Sequence, residues 1–167
     1  MLSLLDSISK NTTAIELSPK MAELAHQNSP NSIIINDDVK NINFVKELFD
    51  LIFAGASIHM FPTRDVNIVL QKFYEWLKSD GKFIFDTTMH DEHEEGIFVK
   101  DDYKGSGRVA RFRNKFTEDV LDELLFNNGF EVEERIIKPE TDRDKKWMLN
   151  VCKKKPFKLP VGEIEVN

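Results

Sequence analysis

The chain has 167 residues, 41% of them apolar and 31% charged, with a formal net charge of -6. That length suits one domain with a genuine core. The acidic balance argues against unspecific nucleic-acid binding, which needs a surplus of Lys and Arg near phosphates. No run approaches the roughly 18 apolar residues that span a bilayer, and the opening Met1-Leu-Ser-Leu-Leu lacks the basic residues and cleavage pattern of a leader. A single Cys152 excludes an internal disulfide and suits a reducing compartment, so a cytoplasmic protein with a buried, inert thiol is expected.

Leu2, Leu4, Leu5 and Ile8 are spaced for a short amphipathic helix. Thr13 to Leu17 reads as a strand. Ser18-Pro19 then starts a helix, with a hydroxyl N-cap before a proline at the first helical position. Met21, Leu24 and Ala25 supply its stripe, and Asn28-Ser-Pro-Asn31 stops it. Ser32 to Asn36 is a β-branched run, as expected for a buried parallel strand, ended by Asp37-Asp38. Phe44 to Phe49 is expected to form a turn of helix, and Asp50 to Ala56 another apolar strand.

Val66, Val69, Leu70, Phe73, Trp76 and Leu77 recur at steps of three and four, the strongest helical signal in the chain. Thr63 is its expected N-cap and Ser79-Asp80-Gly81 its stop. Lys82 to Asp86 is the next strand. Residues 88–116 are polar, hold three of the seven glycines and lack a sustained period; they read as a long insertion over one end of the sheet. Thr117 caps a helix carrying Val120, Leu121, Leu124 and Leu125, closed by Asn127-Asn128-Gly129. Phe130 to Lys138 and Lys146 to Lys153 are two final strands without a helix between them. Residues 156–167 form a tail, in which Val161 to Val166 has strand character.

Strands alternating with helices imply a parallel α/β sheet with right-handed crossovers, and the last two strands an antiparallel edge pair. The order of these signals resembles the class I S-adenosylmethionine-dependent methyltransferase family over roughly residues 13–153. Ala14-Ile-Glu-Leu-Ser-Pro-Lys-Met21, Asn36-Asp-Asp-Val39, Phe49 to His59 and Trp76 to Phe85 carry the likeness, with Asn128-Gly-Phe-Glu-Val132 and Trp147 to Lys153 as the closing hairpin. The resemblance implies a Rossmann-like, mostly parallel sheet, one domain over residues 1–155, and S-adenosyl-L-methionine as cofactor.

The resemblance also implies roles. In open α/β sheets, ligands sit beyond the carboxyl ends of the strands. Glu16 would accept hydrogen bonds from the ribose hydroxyls, each charge-assisted bond being worth about 1.5–3 kcal/mol. Leu17 would lie near ribose and adenine. Asp37 or Asp38 would receive the adenine amino group, Asp38 by the better match, with the backbone of Val39 at the ring edge. Ala54, Gly55 and Ala56 are small and would leave room for the methionine part.

The family's strand and Gly-x-Gly-x-Gly loop would precede the Glu16 strand, yet no glycine occurs before Gly55. Gly105-Ser-Gly107 follows no strand and opens no helix, so it fails the context such a loop needs. The chain thus reads as starting past the loop, with the sheet incomplete at its amino end and cofactor binding weak at best. The Glu16 and Asp50 strands would then pair directly, borrow a strand from the tail or a second copy, or leave backbone groups unpaired.

His59, just past Gly55, is a candidate general base, set against a histidine that merely packs on the Met60-Phe61 turn. Tyr103, Arg111 and Arg113 are candidate substrate residues. The two arginines share a face if extended and suit a carboxylate or phosphate. His90 and His93 among acidic neighbours suggest a solvated loop rather than a metal site. The expected function is methyl transfer to a small molecule, weak or lost in this chain as it stands. The alternative is a catalytically dead methyltransferase-like binding or scaffold module. A nucleotide-binding or redox Rossmann protein is disfavoured for lack of the glycine fingerprint.

Overall fold

The computed structural model describes residues 2–9, 11–101, 107–140 and 145–155. The chain forms two compact units, Met1–Asn43 and Phe44–Asn167.

The first unit contains helix α1 (Leu2–Ile8), strand β1 (Thr13–Ile15), helix α2 (Pro19–Asn28) and strand β2 (Ile33–Ile35). β1 and β2 are parallel, with Thr13 opposite Ile33 and Ile15 opposite Ile35. A parallel pair needs a crossover, and α2 supplies it. The Ser18 side chain accepts from Met21 N at 3.4 Å and Pro19 opens the helix, as its sequence predicts. Both strands are shorter than expected because Asn36 leaves the ladder. Its side-chain amide instead donates to the carbonyls of Glu16 (2.7 Å) and Leu17 (3.1 Å).

The second unit contains β3 (Phe49–Ala54), a 3-10 turn (Ile58–Met60), α3 (Thr63–Trp76), β4 (Leu77–Met89), β5 (Glu94–Lys100), β6 (Val109–Lys115), α4 (Glu118–Asn127), β7 (Phe130–Pro139) and β8 (Lys146–Lys154). Its main sheet has the order β3-β4-β8-β7. β3 and β4 are parallel across α3; β4, β8 and β7 are antiparallel, forming the expected closing hairpin. The helical stripe of Val66, Val69, Leu70, Phe73 and Trp76 is buried, as are Leu121, Leu124 and Leu125 of α4. Phe83, Phe85 and Phe130 are at most 1% exposed on the covered face of the sheet. Each such ring contributes about 1.5–3 kcal/mol by leaving water. The rings interlock, with Phe73 to Phe83 at 5.3 Å and Phe83 to Phe130 at 5.2 Å.

Three expectations are corrected. Residues 44–49 form no helical turn. Glu47 N and Leu48 N donate to Glu75 O and Trp76 O, satisfying carbonyls left open at the end of α3. Glu47 takes a positive φ of 54° to reach them. Second, α3 stops at Trp76 rather than at Ser79-Asp80-Gly81. Burial of Leu77 as the first residue of β4 ends the helix, and Lys78 to Gly81 become a bulge between the pairs Phe49–Leu77 and Leu51–Lys82. A Cβ on Gly81 would lie 3.0 Å from Asp50 O and 2.8 Å from the Leu77 side chain, so close approach requires the glycine.

Third, residues 88–116, which show no sustained period in the sequence, contain regular strands. They hold the end of β4 and an antiparallel hairpin of β5 and β6, from Glu94–Lys115 to Lys100–Val109. Within the first unit β1 pairs with β2, and within the second β3 has β4 as its one ladder partner among the described residues. Tyr103 and the tail at 156–167 lie outside the described residues.

Candidate active site

The β1–β2 register decides where the first candidates stand. Glu16 N donates to Ile35 O at 3.0 Å, one step past the end of β1. Glu16 is therefore level with Asn36, and Asp37 and Asp38 follow directly on the neighbouring strand. Parallel strands put all of them at one carboxyl rim. The Glu16 carboxylate accepts from Ser18 N through Oε1 at 2.8 Å. Its Oε2 has no partner among the described residues. Leu17 is 69% exposed, an apolar side chain left open beside the carboxylate.

The two aspartates organise a tight turn. Asp37 Oδ1 accepts from Asp38 N (2.6 Å) and from the Asn41 side chain (3.0 Å). Asp38 Oδ1 accepts from Lys40 N at 2.9 Å, and its Oδ2 lies 3.6 Å from Lys40 Nζ. Asp38 O accepts from Asn41 N at 2.8 Å and Val39 O from Ile42 N at 3.3 Å. Short Asx hydrogen bonds of this kind fix the loop after β2 without a regular element.

In the second unit, Ala54 is buried at the end of β3, while Gly55 and Ala56 are exposed. Ala56 has a positive φ of 49°, a conformation that costs an alanine about 1–2 kcal/mol. Its N–H donates to Asp86 Oδ1 at 2.6 Å, across from the parallel strand β4. That charge-assisted bond offsets the backbone strain and fixes the sharp exit from β3. Asp86 was legible only as a strand end; its spacing from Ala56 carries no local signal.

His59 sits in the 3-10 turn and is 3% exposed. Its Nδ1 lies 3.2 Å from Thr87 Oγ1, and its ring meets Trp147 edge-on at 6.1 Å between centroids. Burial pushes its pKa down to about 4, helped by the charges of Arg113, Lys145, His90 and Arg111. Arg111 and Arg113 share one face of β6, as an extended segment requires. Arg113 Nη1 contacts Met60 Sδ, which draws the hairpin to the 3-10 turn. His90 and His93 bond to Thr88 Oγ1 (2.9 Å) and Asn114 Oδ1 (3.1 Å). Among the described residues no three His, Cys, Asp or Glu side chains converge as metal ligands would. Cys152 is fully buried, which pushes its thiol up to about 12.

Sequence reasoning missed the network of Glu95, Asn114 and Thr63. Asn114 is 1% exposed and donates to Phe61 O (3.3 Å), Thr63 Oγ1 (3.0 Å) and Glu95 Oε2 (3.2 Å). A polar residue inside a polar segment gives no periodic sign that it is buried.

Parallel strands joined by a helical crossover, carboxylates at their carboxyl ends and an antiparallel closing hairpin define a Rossmann-like α/β protein of the class I methyltransferase type. The family model described as "Methyltransferase domain" matches residues 1–85, and the chain belongs to that family. An uncharacterized methyltransferase, YrrT, of Halobacillus halophilus is 30% identical over 129 residues. That match covers 74% of this chain and 60% of the relative, so the chain spans about three fifths of the relative's length. Among solved structures, a SAM-dependent methyltransferase of Methanosarcina mazei superposes with a TM-score of 0.77 at 16% identity, covering 91% of this chain and 85% of the other. The 1,6-didemethyltoxoflavin-N1-methyltransferase of Burkholderia thailandensis, solved with 1,6-didemethyltoxoflavin and S-adenosylhomocysteine bound, gives 0.68 at 19% identity, covering 86% and 61%. At these identities the structural likeness shows the fold. No helix among the described residues is long and apolar enough to cross a membrane.

Proposed function

We propose that this chain serves methyl transfer from S-adenosyl-L-methionine to a small molecule. The observation that carries the reading is the parallel register that brings Glu16 and Asp38 to the same carboxyl rim of the β1–β2 pair. Nucleoside ligands lie at such rims in open α/β sheets. Family membership and the S-adenosylhomocysteine bound to the Burkholderia relative support the choice of cofactor.

The donor set fits the nucleoside end. Glu16 Oε2 is available to a ribose hydroxyl, Asp38 can accept from an amino group, and Leu17 offers apolar surface. For Ala54, Gly55 and Ala56 we propose the role implied by the family, small residues that leave room for the methionine part. The cofactor, when bound, supplies a methyl group already activated by a sulfonium; the protein has to bind, orient and exclude water. Burial and the bond to Thr87 favour a packing role for His59 over that of general base. Arg111 and Arg113 are the proposed holders of an anionic substrate group. As an edge strand, β3 also supports a homo-oligomer completed by strand exchange.

Calorimetric titration with S-adenosylhomocysteine should show binding, and Glu16→Ala should weaken it by about tenfold or more, the loss of one charge-assisted bond. Unchanged binding in Glu16→Ala and Asp38→Ala would overturn the site. A complete lack of binding by the unaltered chain would favour the alternative, a methyltransferase-like scaffold without turnover.

A further inference from the structure

One face of the β4–β8–β7 sheet is packed under α3 and α4; on the other, toward the carboxyl-terminal end of β4, the side chains are part-buried or exposed. The register sets two rows of side chains there. Asp86, Leu149 and Ile136 stand in one row, and Trp147 and Lys138 in the next. Together these five line a cavity of about 210 Å³.

The lining divides into an apolar floor and two charged ends. Ile136, Leu149 and the indole of Trp147 form the floor, with Ile136 37% exposed. The indole is held in place by Glu140 Oε2, 3.4 Å from its Nε1, and by Lys145 Nζ, 3.9 Å from the ring centroid. Asp86 spends Oδ1 on the Ala56 N–H, and its Oδ2 has no partner among the described residues. Lys138 is exposed and has no ion-pair partner among the described residues. Asp86 and Lys138 are two strand spacings and one two-residue step apart, about 12 Å between Cα atoms. Both side chains line the same cavity.

Size and charge select the ligand. Pockets for drug-sized molecules run to about 300–1,000 Å³, so a cavity of this volume takes one ring rather than a fused system. The isolated ammonium of Lys138 at one end suits a carboxylate or other anion; the open oxygen of Asp86 at the other suits a hydroxyl or amino donor. Asp86 also touches the backbone of Ala56, so the donor end of such a ligand is the end nearest the exit of β3.

We propose that this face is a binding subsite for a planar, single-ring small molecule with an anionic group at one end and a hydroxyl or amino group at the other. Calling that molecule the methyl acceptor rests on the methyl-transfer reading above; the subsite itself does not.

The test uses 4-hydroxybenzoate as the probe and the indole N–H resonances of the two tryptophans as the readout. Trp76 is 3% exposed and serves as the internal reference. The probe is expected to shift the Trp147 indole resonance and leave that of Trp76 in place. Phenol, which lacks the anion, should bind more weakly, and Lys138→Ala, an exposed substitution, should weaken 4-hydroxybenzoate by about tenfold. No shift at Trp147 with millimolar probe, or equal affinity in Lys138→Ala, would overturn the subsite. Because the measurement needs no cofactor, probe binding in a chain that fails to bind S-adenosylhomocysteine would keep the subsite and sink the methyl-transfer reading. The reverse pattern would do the opposite.

Discussion

At His59, burial and neighbouring positive charge act in the same direction. The ring is 3% exposed, and Arg113, Lys145, His90 and Arg111 all oppose its protonation, leaving a pKa of about 4. In the unfolded chain the same group titrates near the ordinary histidine value of 6.5. Between these values the unfolded state binds more protons, so stability rises with pH through that window and falls on acidification. The linkage amounts to about 2 kcal/mol between about pH 7.5 and about pH 5. Urea unfolding of the native chain should show a midpoint that drops over this range, and His59→Gln should flatten the drop. An equal pH dependence in the variant would show that other groups set it. The residue's position in the sequence hinted only at proximity to Gly55; the charges that surround it come from β6, from His90 just after β4 and from Lys145 just before β8, which no local pattern joins to it. The rim position of Glu16 and Asp38, by contrast, was legible because both lie near the end of a short apolar run.

The element that sequence reasoning handled least well is the β5–β6 hairpin, and it is the one that caps α3. Pro62 stands at the N-cap of α3 and offers no side-chain acceptor. Glu95, from β5, fills that role, its Oε2 accepting from Thr63 N (2.8 Å) and Thr63 Oγ1 (2.7 Å). A carboxylate at a helix N-terminus satisfies an open donor and meets the positive end of the helix dipole. The bonds from Thr63 hold the Glu95 carboxyl below its usual range. Thr63 itself was expected as the cap, but it lies inside the helix as its first residue. Glu95→Ala should destabilise the protein by about 1 kcal/mol, the typical loss of a cap. A carboxyl with a lowered folded pKa stabilises above its unfolded pKa and loses that contribution as pH falls through the folded value. The gap between native and Glu95→Ala chains in chemical denaturation should therefore close in acid. A gap that stays constant down to low pH would show that the carboxylate charge plays no part. β5 is largely exposed and the one fully buried residue of β6, Asn114, is polar, so 94–115 show no apolar alternation, while α3 and α4, each with one apolar face, were plain.

Across the whole chain, the alternation of strand and helix signals was enough to reach the α/β class, because buried parallel strands read as continuous apolar runs and each crossover helix carries its own caps. What that pattern does not convey is how unequally the core is shared. Among described residues of Met1–Asn43, only Ala22 is a buried hydrophobic residue, with Ser29 and Ser32 as buried polar companions. Its sheet is two strands of three residues. Phe44–Asn167 holds the remaining buried hydrophobic side chains, and its strands β4 and β8 are flanked on both sides. Local opening free energy follows buried apolar contact and protected backbone hydrogen bonds. The amides of Ile33 and Glu16, although bonded to Thr12 O and Ile35 O, should therefore exchange far faster than those of Leu149 to Cys152. A difference of about 3 kcal/mol in opening would appear as about a hundredfold in exchange rate. Hydrogen exchange followed by NMR reads both sets in one sample. Equal protection of the two sets would mean that Met1–Asn43 draws its stability from something other than its own core. Preferential slowing at Glu16 on adding S-adenosylhomocysteine would tie that same weak unit to the ligand, since a ligand bound to the folded form raises the cost of opening by its own binding free energy.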